Sequence, residues 1–179
     1  MSRRLPKILA VAALVAGAVA LTTRPAFTQD KDYRSVEALK KLGVSTCAGA
    51  VSTITKFMYD EDDFAYLNTW NEDKTDRHTT LTVASKNYSD GSSVASIAVS
   101  PTTAGTCDAN FTQLTMVKET CAKLRDTTFK EWKYYSDLGT NPMYEDPTSD
   151  SVVVTLANTA GGCLIIKTGL LFLQPGAAK

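Results

Sequence analysis

Four cysteines and a single histidine limit the chemistry this chain can carry. A nucleophile-and-base arrangement needs an imidazole beside a hydroxyl or thiol and an orienting carboxylate. His78 is the only imidazole, and it stands between a charged loop and a strand pattern, the setting of a surface residue. No Gly-x-Ser-x-Gly elbow occurs. Zinc sites take Cys and His ligands in closely spaced pairs, whereas no two of Cys47, Cys107, Cys121 and Cys163 have Cys-x-x-Cys spacing. Gly161-Gly162 joins two strand patterns with no helix after it, so it offers no helix N-terminus to a phosphate. Two carboxylates suffice for glycoside hydrolysis, but with 19 acidic residues any pair is a free choice. The expectation is a non-enzymatic chain with no cofactor and no catalytic residue.

Binding is the remaining class. Asp60-Glu61-Asp62-Asp63 ends a helix pattern, where the macrodipole disfavours anions. Four acids there invite a cation, yet the run lacks the alternating oxygens and central glycine of an EF-hand loop; a solvated acidic turn is the expectation, with no metal site. Loop aromatics are over-used at interfaces. The acidic turn Asp60, Glu61, Asp62 and Asp63 with Tyr66 and Trp70, and the Trp132–Tyr144 segment with Tyr134 and Tyr135, are therefore candidate contact regions, although the same rings are equally suited to capping a core. The function expected is an exported domain that binds a macromolecular partner, such as an inhibitor, an immunity-type protein or a secretion or assembly accessory. The alternative is a periplasmic small-ligand or glycan-binding domain using the same aromatics.

The N-terminus argues for export. Met1–Lys7 is basic and Ile8–Leu21 is an unbroken apolar run, the form of a secretory signal, and the run is short of the roughly 20 apolar residues of a spanning helix. Residues 1–28 are the expected signal and residues 29–179 a single domain, with no stable membrane anchor after cleavage. Pro6 and Lys7 sit where a twin-arginine leader prefers apolar residues, so a bacterial Sec-type route to the periplasm or exterior is expected. Residues 1–28 carry Arg3, Arg4, Lys7 and Arg24 and no acid, which leaves 15 basic against 19 acidic residues, a net charge near −4. Phosphate binding needs a clustered basic face, so nucleic acid is not an expected partner.

The elements that position these residues follow from periodicity. Ser35 and Ser45 are placed to cap the two pieces of a first helix broken at Gly43, and Cys47, Val51, Ile54 and Met58 make one apolar stripe on it. Period two begins after His78: Leu81 and Val83, then Ala95, Ile97 and Val99, then a strand over 110–118 with Leu114 and Met116 on one side and Phe111 and Val117 on the other. Thr120 caps a second helix containing Cys121 and Leu124. Residues 136–150, with Gly139, Pro142 and Pro147, read as a long connection. Val152–Ala157 is a strand, and Cys163–Leu173, the most apolar stretch of the sheet, belongs at its centre. The expectation is an α+β fold: a five-stranded antiparallel sheet, with room for a sixth strand, two main helices on one face in the order α-β-β-β-α-β-β, two disulfides and no internal repeat.

Cysteines in an exported chain pair. A straight strand advances about 3.3 Å per residue, so a strand over 109–118 holds Cys107 and Cys121 far beyond the roughly 7 Å that a disulfide spans. The helix after Cys121 has to return across the sheet, which brings the last hairpin, and Cys163 with it, to the end where Cys121 lies. Cys121–Cys163 follows, and Cys47–Cys107 by elimination.

Overall fold

A computed structural model of the chain describes residues 33–59 and 61–173; the expected signal over residues 1–28 lies outside them. Among the described residues three helices, α1 (Arg34–Lys41), α2 (Ala48–Met58) and α3 (Cys121–Asp126), accompany eight strands: β1 (Ala65–Thr69), β2 (Thr80–Asn87), β3 (Gly91–Pro101), β4 (Cys107–Val117), β5 (Tyr134–Leu138), β6 (Asn141–Asp146), β7 (Ser149–Thr159) and β8 (Gly162–Leu173). All eight form one antiparallel sheet in the order β1-β2-β3-β4-β8-β7-β6-β5.

The expected five- or six-stranded α-β-β-β-α-β-β order is therefore wrong: β1, β5 and β6 are additional strands, while the first helix falls into the two pieces, α1 and α2, expected from the break at Gly43. The breakers assigned to a long connection over 136–150 are hairpin turns. Gly139, at φ +65°, turns β5 into β6. Pro147 lies in the turn from β6 to β7, where the Asp146 carboxylate accepts from the Thr148 backbone N–H at 2.9 Å, as an aspartate bonding its own chain two residues on does. Pro142 is tolerated because it stands one pair beyond the Leu138–Asn141 pair that closes the hairpin, so by antiparallel alternation its nitrogen is turned from β5 toward β7, where it has no partner and no ladder bond is lost.

Register assigns each side chain to a face. Ala84, Ala95, Ile97, Val99, Ala109 and Phe111 share one face, and the stripe Cys47, Val51, Ile54 and Met58 of the α2 region buries against them with Val36 and Leu39 of α1. Alanines in three neighbouring strands leave depth for the helices. On the same face Val154, Leu156 and Cys163 pack with Cys121 and Leu124 of α3, and with Phe129 and Tyr144.

The chain is also duplicated in architecture, although no repeat is visible in its sequence. Helix α2 precedes the meander β1–β4, helix α3 precedes the meander β5–β8, and the halves meet where β4 pairs with β8. Thr112 lies opposite Thr168 at the middle of that seam. Disulfides join Cys47 to Cys107 and Cys121 to Cys163. In each half the bond runs from the start of the helix to the start of the last strand. These are the pairs that the strand-length argument selects.

Candidate interaction surface

The candidate binding residues do not come together. Asp60 lies outside the described residues. Glu61 is exposed. Asp62 Oδ2 accepts from the backbone N–H of Arg34 at 3.0 Å and from its Nε at 3.1 Å, while Arg34 Nη2 donates to the Asp62 carbonyl at 2.7 Å. Asp62 thus supplies the first turn of α1 with the acceptor expected from Ser35, which is itself buried within that turn. Asp63 pairs with Lys86, whose ammonium holds the carboxyl below its ordinary range. Asp62 and Asp63 therefore meet cations of their own chain, and no group of metal-ligating side chains forms among the described residues.

Tyr66 and Trp70 belong to the β1 end of the sheet, and Trp132, Tyr134 and Tyr135 to the β5 end. At about 4.8 Å per strand these edges stand roughly 34 Å apart, so the two groups make two places and not one site. Trp70 packs against the larger core cluster, and Trp132 meets Phe129 edge to face at 4.8 Å between ring centres. Both tryptophans are half-buried core caps. Tyr134 and Tyr135 are exposed on a five-residue edge strand.

A further surface is the sheet face turned away from the helices. Across β2, β3, β4, β8 and β7 its outward positions include Leu81, Val83, Val94, Leu114, Met116, Leu164, Ile166, Leu170, Phe172, Val153 and Ala157, with serine, threonine and asparagine between them. Among the outward positions of those five strands Asp108 is the sole charge, near one end of β4. Leu114 is 39% exposed, Met116 36%, Leu170 50% and Phe172 65%. These four form a band: Leu114 and Met116 lie beyond the central Thr112 along β4, and Leu170 and Phe172 lie equally far beyond Thr168 along β8, in the opposite direction. Among the described residues no helix lies against this face.

One charged pair stands on the helix side. Asp146, buried, accepts from Thr148 Oγ1 at 2.5 Å and faces Lys167 Nζ at 3.4 Å, and that ammonium also lies 4.7 Å from the centre of the Phe57 ring. Burial pushes the Asp146 carboxyl up, but the Thr148 bonds and the Lys167 charge outweigh it and hold the group below its ordinary value. The arrangement fixes the β6–β7 turn to the centre of the sheet.

Neither the loop aromatics nor the acid run points to the open face, although its signal is present in the sequence. Val152-Val153-Val154, Leu164-Ile165-Ile166 and Leu170-Leu171-Phe172 are apolar at consecutive positions. A strand apolar on both sides expects cover on both, and here the chain's described elements cover one. No family model matches this chain, and no curated protein or solved structure shows significant similarity to it.

Proposed function

We propose that this chain is an exported, non-enzymatic domain that binds a macromolecular partner through the open face of its sheet, in the manner of an inhibitor, an immunity-type protein or a secretion or assembly accessory. One observation carries the reading: β8 is apolar on both faces, with Leu164, Ile166, Leu170 and Phe172 on the open one and Leu114 and Met116 of β4 continuing the band, while helices lie against the other face. Monomeric proteins rarely leave contiguous apolar patches of more than a few hundred Å² to water. The two disulfides fit export into an oxidising compartment, and no helix among the described residues is long and apolar enough to cross a membrane. A small-ligand site favours a concave pocket, whereas these side chains stand on the broad surface of a sheet. The edges are poor alternatives, since β1 and β5 are five residues each, and short edge strands resist strand addition.

Site-specific photo-crosslinking in the compartment of export tests this reading. A photoreactive side chain at position 114 is expected to yield discrete adducts, and one at position 135 few. Adducts from 135 with none from 114 would move the working surface to the β5 edge and overturn the assignment.

A further inference from the structure

We infer that the open face of the sheet is the contact between two copies of this chain, packed face to face about a two-fold axis lying along the Met116–Leu114–Leu170–Phe172 band. The inference rests on the reading of that face as the binding surface and names its occupant.

Three features select a second copy. The first is area. Strands β3, β4, β7 and β8 are each 11 or 12 residues long. At about 4.8 Å between strands and about 3.3 Å per residue they present roughly 700 Å² in projection. Including the eight residues of β2 carries the face past the roughly 800 Å² per partner that a standard stable interface buries. The second is charge. With Asp108 the one charged outward side chain on five strands, a charged partner finds nothing to pair with, whereas homodimer contacts are the apolar class of interface. The third is self-complementarity. An isologous contact requires one surface to match itself across a dyad. The exposed apolar band runs through the middle of the face, with Leu114 and Met116 on one side of the Thr112–Thr168 pair and Leu170 and Phe172 in the corresponding places on the other. A dyad along the band lays each cluster on its own copy and keeps the strands of the two sheets near parallel, as in aligned sheet packings, which cross at about 30°. The product has four layers, helices outside and two sheets within.

The test uses the whole chain, expressed with its own leader and purified with both disulfides formed. Sedimentation velocity from about 1 µM to about 100 µM is expected to show a dimer, and Leu114→Lys and Leu170→Lys are each expected to weaken it at least about 100-fold, as charges buried at an interface centre do. Far-UV circular dichroism and a count of free thiols establish that each variant is folded. A wild-type chain that stays monomeric over the whole range, or a dimer indifferent to both folded variants, overturns the inference. The photo-crosslinker at position 114 separates the two levels of the argument. An adduct with the mass of two copies supports the dimer. An adduct of another mass overturns it while leaving the face as the binding surface, and no adduct from 114 removes both.

Discussion

The ring of Phe111 occupies the space that a side chain at position 169 would need. A Cβ placed on Gly169 would lie 2.4 Å from Phe111 Cε1 and 3.1 Å from Val152 Cγ2. Gly169 is directly opposite Phe111 across the β4–β8 seam, so the buried phenyl ring folds over the glycine of the neighbouring strand. Glycine is otherwise a poor strand residue; its cost is offset here by an aromatic ring that reaches the centre of the sheet.

Gly169→Ala is accordingly expected to destabilise the fold by about 1–3 kcal/mol through overpacking. Gly161→Ala, where nothing lies within 4 Å of the added carbon, should be close to neutral. Urea unfolding of the two variants side by side checks this. Equal midpoints would mean that Phe111 moves aside without cost.

Replacing either disulfide by a pair of alanines should cost about 2–4 kcal/mol. The bridges close sequence separations of 60 and 42 residues. Because loop entropy grows only logarithmically with length, the two losses should agree to within about 0.5 kcal/mol. Denaturant midpoints of the two double variants measure the pair of values, and a loss confined to one bridge would contradict the chain-entropy account.

Asp76 ties the turn before α2 to the loop ahead of β2: its carboxylate accepts from Ser45 N at 2.6 Å, Thr46 N at 2.9 Å and Ser45 Oγ at 2.5 Å. Burial pushes this carboxyl up, and the bonds from Ser45 and Thr46 outweigh burial, so its folded-state value is lowered. A lowered folded value means the stabilisation is complete above the unfolded carboxyl pKa of about 3.9 and is lost as pH falls through the folded value. Asp76→Ala should therefore cost about 1 kcal/mol at neutral pH, the worth of a capping side chain, and almost nothing in strong acid. Thermal melts of wild type and variant between about pH 2 and pH 7 should converge at the acid end. A constant gap would rule out the carboxylate as the cause.

Asp146 and Lys167 are unequal partners. Asp146→Ala removes both the Thr148 bonds and the partner of a half-buried ammonium, and about 2–3 kcal/mol is expected. Lys167→Met keeps the turn and retains an apolar stem against Phe57, so a smaller loss of about 1 kcal/mol is expected. A double-mutant cycle read by urea unfolding gives the coupling directly. A larger loss for Lys167→Met would reverse the assignment of Asp146 as the anchor of the turn.

The parts of the fold legible in the sequence are those with strong periodicity under a covered face. The α2 stripe, the alternation in β3 and β4 and the apolar β8 all announce themselves, and Thr120 caps α3 by local rules, its Oγ1 accepting from Lys123 N at 3.2 Å. What escaped depends on partners distant in the chain. Strands β5 and β6 have weak patterns because they lie at the edge of the sheet, and their turns use the glycine and prolines that ordinarily mark loops. Ser35 and Ser45 are the local candidates for capping the first two helices, whereas Asp62 accepts from the first N–H of α1 and Asp76 holds the turn ahead of α2 through Ser45 and Thr46, each about thirty residues further on. The acid run looked like a ligand site for the same reason. Its charges were visible, but the cations they meet, Arg34 and Lys86, are contributed by α1 and β2.

Each bridge is confined to its own half, one within residues 47–107 and one within 121–163. The segment from Lys118 to Thr120 between the halves is exposed. A tryptic nick after Lys118 would sever the sole covalent link from the first half to the second while leaving both sulfur bonds intact. The two fragments would then be held by the hydrogen-bonded β4–β8 seam and by non-covalent packing across it, Val152 against the first core cluster and Lys167 against Phe57 included, the arrangement required for reconstitution of a split protein from separately produced pieces.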